Sequence, residues 1–582
     1  MEDLDLKPAE EITDDAINPA GKKKLQSIVA TAMEFEAMHK ECLRVLPYSE
    51  DARKVVHLYV LYGKSGIPQK LIDAAWKCFE DLDVDLKWFD LYKDANEILK
   101  ISPVQYPTDT PQSLNESYIQ AINKMIEQNL HILVRHRNIT AVQPSLKITK
   151  SKQTETPCVM LSVLRKGHIP DGECAFPLTL GSYPVDVVDG FWFRTDDPWT
   201  PNEAQEQSEV LCLGASIGVK DEDVAGTLGA IVKGDKTFYA LSCDHVMKHK
   251  AKLEITHPAH NDHLNNLNYH FQQYRLWTKQ MIKQDGNPIL KSQTSDCTLT
   301  GPEELLRRFQ DLKSVKETLL DPARKTKRKL QASDLHEKAF KEGLTPPRVI
   351  GKYTVGVSRN VKWTDGQQYY IDAAIAELTS EEVKGLRESQ TAELIGTGSC
   401  PSGKCSSNVK ASGELCKSGR TTEFTKSGRH VQPSMFLNAS LYEVNAQNEQ
   451  LVSVLKRIKL CQVCLERFET GQNLDTSQRA CDSCEKHTAT LNENFWLKNC
   501  LCIDHPFDLG NAKVFATAGD SGAVLFERKE DKSLEGFGII FGEHRNSYQL
   551  CALATPLQVA LETLSKEIPL NTGLRLLSIY NE

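Results

Sequence analysis

No stretch of the 582 residues is long and apolar enough to span a bilayer. The opening MEDLDLKPAEEITDDAINPAG is acidic and holds no apolar run, which argues against a signal or transit peptide. Positive charge is also wanting. Lys and Arg number 70 against 78 Asp and Glu, a formal net charge of −8, so no global field draws the chain to nucleic acid or anionic lipid. Cysteine is too sparse for a disulfide scaffold: 17 residues, an odd count, spread over the whole length. Without a secretory leader, free thiols in a reducing compartment are expected, so the chain reads as cytoplasmic, with the nucleus as the alternative. The N-x-S/T sequons at Asn115, Asn138 and Asn438 then read as chance matches.

What is present is ordinary soluble protein, with 40% hydrophobic and 25% charged residues. The length exceeds a single core and implies several domains. Residues 1–20 read as a disordered acidic tail. From 21 to 140 the pattern is helical. KKKLQSIVATAMEFEAMHKECLRVL spaces its apolar residues by three and four, and SEDARKVVHLYVLYG opens on a serine and two acids and ends at a glycine. PQKLIDAAWKCFEDL, LKWFDLYKDANEILK and SLNESYIQAINKMIEQNLHILV complete five helices, enough for a helical bundle. Such a domain would serve packing, self-association or recruitment of a protein partner.

Beyond about 150 the texture turns to strands, first in a β-rich lead-in to about 205 and then from about 206 to 565. Two segments interrupt it: a charged helical insertion at about 260–345 and a Cys-rich one at about 440–505. Long excursions of this kind add little loop entropy. Residues 566–582 read as a C-terminal tail. The fold class expected is α+β multidomain.

Within FATAGDSGAVLF, at 515–526, Ser521 stands between Asp520 and Gly522. A serine hydroxyl becomes a nucleophile only with an adjacent base, a group that orients the base, and donors for an oxyanion. FYALSCDHVM supplies a histidine, His245, at the end of a strand that follows the glycine-rich GTLGAIVKG. Two aspartates compete as its partner: Asp296 in QTSDCTLTG and Asp372 in QQYYIDAAIAELTS.

In these motifs, and in their order His, Asp, Ser, the sequence resembles the chymotrypsin-like (trypsin-like) serine proteases. The resemblance covers about 206–565 once both insertions are removed. It implies a double β-barrel after the helical bundle, with His245 as general base, Asp372 orienting it and Ser521 as nucleophile. Gly519 and Ser521 would give the oxyanion-hole N–H groups. Asp372 is preferred because it heads the apolar run AAIAEL, as the family's aspartate does, while Asp296 has no strand behind it. LCKSGRTTEFTKSGRHV, with two Ser-Gly-Arg turns, is similar to the hairpin that follows the aspartate in bacterial and intracellular members.

The chain also departs from that pattern. Asp244 occupies the place of a small residue before the base, where it would either raise the His245 pKa or point away. No Arg-Ile-Val-Gly-Gly-like activation site precedes the first strand, so Asp520 is not expected to pair with a freed amine. Phe515 stands six places before the serine, where a trypsin carries an acid, so cleavage after Lys or Arg is not implied. The function expected is an intracellular serine endopeptidase acting on proteins or peptides. The alternative is a pseudoprotease that binds through the helical domain and the Cys-rich insert.

The pairs Cys461, Cys464 and Cys481, Cys484 have the spacing of a four-thiolate zinc site. Such a metal is structural, because four thiolates leave no position for water, and it would fold an insert too polar for a core of its own. Cys500, Cys502 or His487 could replace a ligand, and Cys400 with Cys405 is a weaker pair. ARKTKRKL, around Arg324 to Lys329, reads as the solvated face of a charged helix, with nuclear import or nucleic-acid contact as the alternative.

Overall fold

The computed structural model describes residues 19–39, 42–50, 53–60, 66–91, 114–133, 136–150, 152–194 apart from 172 and 174, 205, 211–249 apart from 223, 252–285, 310, 346–389, 394, 401–406, 414–438, 496–504, 515–516, 519–546, and 550–577 apart from 571–572. The chain forms two compact units. One is Met1–Trp192 with Met435–Leu497 and Arg545–Gln549; the other is Phe193–Ser434 with Lys498–His544 and Leu550–Glu582.

The first unit opens with helix α1 (Pro19–Met38), strands β1 (Cys42–Glu50) and β2 (Arg53–Val60), helix α2 (Gln69–Phe79) and strand β3 (Asp85–Asp90). β1 and β2 are antiparallel, while β2 and β3 are parallel with α2 as the crossover. Ile28, Ala32 and Phe35 of α1 and Leu71, Ala75 and Phe79 of α2 share a core with Val45, Val56, Leu58 and Val60. Helix α3 (Glu116–Leu133) follows, then β4 (Ile139–Thr149), β5 (Lys152–Val163), β6 (Thr179–Leu180) and β7 (Tyr183–Arg194). Ile119, Ile122, Ile126, Leu130 and Leu133 fall at helical spacing and bury against Ile139, Val142, Val159 and Leu161.

The second unit carries β8 (Ser216–Val219), β9 (Gly226–Thr227), β10 (Ala230–Lys233), β11 (Phe238–Ser242), the one-turn helix α4 (Asp244–Met247), β12 (Glu254–His257) and helix α5 (His260–Asp285). Farther along the chain come β13 (Arg348–Lys362), β14 (Gln368–Leu378), helix α6 (Ser380–Ser389), β15 (Leu415–Gly419), β16 (Glu423–Asn438), β17 (Trp496–Asp504), β18 (Val524–Arg528), β19 (Leu534–Asn546), β20 (Leu550–Pro556), helix α7 (Leu557–Glu567) and β21 (Arg575–Leu576), of which β16, β17 and β19 are each divided between the two units. One sheet has eight strands in the order β21-β10-β11-β14-β13-β12-β8-β9, and a second run follows β15-β18-β19-β20-β17.

This architecture corrects the expected one. Among the described residues of 21–140, helices alternate with strands and form no helical bundle. Two of the five segments read as helices are strands, β2 within SEDARKVVHLYVLYG and β3 within LKWFDLYKDANEILK. The reason is local: Val55, Val56 and Val60, with Tyr59, favour a pleated backbone. β2 is buried on both faces from Val55 on, so no alternation betrayed it. Nor do the described strands make a clear chymotrypsin-like double barrel: among them the eight-stranded sheet runs from β21 at one end to β9 at the other. Among the described residues, no helix is long and apolar enough to cross a membrane.

Two sequons lie in packed positions. Asn138 Nδ2 donates to the Arg165 and His168 carbonyls at 3.2 and 3.1 Å, and Asn438 Nδ2 to the Ile139 carbonyl at 2.9 Å, both with buried side chains. None of the ten described cysteines is in a disulfide.

Candidate active site

β11 pairs with β14 from Tyr239–Glu377 to Ser242–Ala374, and β14 continues past that end to Asp372. The overhang sets the Asp372 carboxylate against the start of α4. Its Oδ1 accepts from the amides of Asp244 at 2.8 Å and His245 at 3.3 Å, which satisfies two donors at the helix start. Its Oδ2 meets His245 Nδ1 at 2.7 Å. The Asp372 amide donates in turn to Thr555 Oγ1 at 3.2 Å, and that hydroxyl donates to the Tyr370 carbonyl at 3.1 Å. Asp372 is fully buried, while the His245 side chain keeps 8% exposure. A buried, multiply bonded carboxylate at this distance holds an imidazole in one orientation and favours the tautomer with the proton on Nδ1.

Asp244 points away from His245. Its Oδ1 accepts from Tyr353 Oη at 3.0 Å and its Oδ2 from Lys248 Nζ at 3.3 Å. Burial and then the neighbouring Asp372 charge push the Asp244 carboxyl up.

The serine turn is built from Gly519, Asp520, Ser521 and Gly522. Both glycines have positive φ, +93° and +95°. A Cβ on Gly522 would collide with Ser242 Oγ, and one on Gly519 with Arg420 Nη1 and Thr421 Oγ1. Close approach at Gly522 therefore seats the turn on the end of β11, three residues before His245 in sequence. Further bonds fix the seat. The Thr227 amide donates to the Ser521 carbonyl at 2.8 Å, the Gly522 amide to the Ile540 carbonyl at 2.7 Å, and Cys243 Sγ to the same Ile540 carbonyl at 3.1 Å. Ser521 is buried, and its hydroxyl donates to the Phe541 carbonyl at 3.3 Å. The Phe541 ring stands edge-on to Tyr370, 5.3 Å between centroids.

The structure thus joins His245 to Asp372 and, in the same unit, ties the serine turn to Cys243 through the shared Ile540 carbonyl, with the Ser521 hydroxyl on the Phe541 carbonyl. Asp296, Cys461, Cys464, Cys481, Cys484, His487 and the Arg324 to Lys329 patch lie outside the described residues. Sulfur, nitrogen and oxygen atoms of Cys243, His245 and Asp372 come within 4.8 Å of one another, close enough to converge on one cation. Holding a cation there would compete with the His245–Asp372 bond and the Cys243 bond to Ile540.

Sequence reasoning missed the shell around Asp520. Its Oδ2 accepts from Lys417 Nζ at 2.9 Å and Thr422 Oγ1 at 2.7 Å, and its Oδ1 from the amides of Thr421 at 2.9 Å and Thr422 at 3.2 Å. The signal lay in LCKSGRTTEF, whose Ser-Gly-Arg turn was legible as a turn but not as a clamp. Phe515 is buried, its ring 5.8 Å from Lys417 Nζ and its carbonyl accepting from Thr425 Oγ1 at 3.0 Å. No protein-family model matches this chain, and no curated protein is significantly similar to it.

Proposed function

We propose that the chain is a serine endopeptidase acting through His245, Asp372 and Ser521. The observation that carries this reading is the 2.7 Å contact of His245 Nδ1 with buried Asp372, beside a glycine-flanked serine turn. The motif order is that of the chymotrypsin-like proteases. In the reaction, the Ser521 hydroxyl gives up its bond to the Phe541 carbonyl for one to His245. The imidazole takes the hydroxyl proton as Oγ attacks a peptide carbonyl, and Asp372 stabilises the imidazolium. The N–H groups of Gly519 and Ser521 bind the oxyanion, each worth about 3–4 kcal/mol. The imidazolium then protonates the leaving amine, and water activated by His245 hydrolyses the acyl-enzyme.

A second reading is favoured by the burial of Ser521 and its bond to Phe541: a pseudoprotease in which the turn is a packing element. Incubation of the full chain with a peptide library separates the two. The enzyme cleaves, and Ser521→Ala lowers turnover about 10⁶-fold. Equal cleavage by wild type and variant rules out Ser521 as the nucleophile. A structural zinc on Cys461, Cys464, Cys481 and Cys484 and a cytoplasmic location complete the reading.

A further inference from the structure

Asp520 sits inside the serine turn but takes no part in the chemistry just described. Its carboxylate is fully buried, and so is the ammonium of Lys417 that meets it at 2.9 Å. Burying both charges is costly, and such a pair is poor evidence for stability as such. What the pair does is geometric. The side chain of Asp520 is held on one side by Lys417, by the Thr422 hydroxyl and by two amides of the 421–422 turn. On the other side the main chain is held carbonyl by carbonyl. Gly519 O accepts from Thr227 Oγ1 at 3.1 Å, Asp520 O from the Ala523 amide at 2.9 Å, and Ser521 O from the Thr227 amide at 2.8 Å. A trans peptide points its N–H opposite its C=O, so fixing the Asp520 carbonyl fixes the direction of the Ser521 N–H. That N–H is one of the two proposed oxyanion donors.

We infer that Lys417 is a positioning residue: its buried ammonium anchors Asp520 and thereby sets the oxyanion-binding turn in the uncut chain. The inference rests on the serine-peptidase reading above. It implies that the turn needs no cleavage event to supply a cation, because β15 carries one already. Burial alone would push the Asp520 carboxyl up, but Lys417, Thr422 and the Thr421 amide outweigh it and hold the group below the usual carboxylate range. Burial pulls the Lys417 ammonium down, and the Asp520 charge beside it opposes that pull. Phe515 offers its ring to the same ammonium, which gives that position a role other than the base of a pocket.

The test compares full-length wild type, Lys417→Met and the double variant Lys417→Met/Asp520→Asn. Three quantities are read: the rate of acylation by a fluorophosphonate, kcat and KM on a cleaved peptide, and the melting temperature. Lys417→Met should slow acylation and lower kcat about 10²-fold, as for loss of an oxyanion donor, with KM within about twofold of wild type. The double variant removes both charges and should regain most of the melting temperature while staying at least about tenfold slow. A reactive wild type with Lys417→Met equally reactive overturns this inference alone. Recovery of the rate together with the melting temperature in the double variant overturns it as well, since the pair would then be structural only. A wild type that reacts with neither probe nor peptide overturns both this inference and the reading beneath it.

Discussion

At the scale of single residues, the proposed chemistry depends on which nitrogen of His245 faces Asp372. The carboxylate holds Nδ1 at 2.7 Å, and two backbone amides hold the carboxylate. Asp372→Asn keeps the shape but presents an amide donor that favours the wrong tautomer. Turnover should fall about 10⁴-fold with little change in the fold, measured as kcat on a cleaved peptide beside a melting curve. His257, in the same unit, behaves differently. It is buried, its Nδ1 lies 2.8 Å from the Ser216 carbonyl, and burial pulls its pKa down to about 4. A histidine depressed in the folded state gives stability that is complete above its unfolded value of about 6.5 and is lost as pH falls toward 4, in all about 3 kcal/mol. Urea unfolding of His257→Gln between pH 7 and 4 should show a shallower loss than wild type. An identical slope would mean that His257 does not titrate across the transition.

At the scale of elements, the serine turn is reached from an unexpected direction. Arg420, beside the turn, is buried and pairs through Nε with Asp262 Oδ2 at 2.6 Å and through Nη2 with Asp262 Oδ1. Ser216 Oγ donates to the same carboxylate at 2.6 Å. Asp262 lies in the first turn of α5, the start of the segment read from sequence as a charged helical insertion. The helix start is thus tied to the residue that backs Gly519. Asp262→Asn should destabilise the protein by about 3–5 kcal/mol, because it leaves the Arg420 guanidinium buried without its counter-charge. Chemical denaturation measures this, and the paired change Asp262→Leu/Arg420→Met should recover much of the loss. The helical spacing of Ile119, Ile122, Ile126 and Leu130 was legible because one face is buried and the other wet. β2 was not, since a strand buried on both faces carries no period to read. His245, just past the end of β11, and Asp372, within β14, each stand in a short motif that the sequence shows. Lys417 and Thr227 were not legible, because their meaning lies in distances across about a hundred and three hundred residues of chain.

At the scale of the whole molecule, the units are assembled from separate stretches of sequence. The first unit gathers Met1–Trp192, Met435–Leu497 and Arg545–Gln549 from separate parts of the chain, a grouping that no composition boundary announces. Long-range pairing decides it, and pairing is not a local property. The Cys-rich segment belongs to this scale too. Cys461, Cys464, Cys481 and Cys484 should give about one equivalent of zinc in protein purified without chelator. Under half an equivalent counts against the site. The central claim, that Ser521 is a nucleophile activated by His245, is tested most directly by reacting the full chain with a fluorophosphonate and mapping the adduct by mass spectrometry. The account predicts one adduct, on Ser521, absent from Ser521→Ala and strongly slowed in His245→Ala. An unlabelled wild type, or a label that persists in Ser521→Ala, contradicts it.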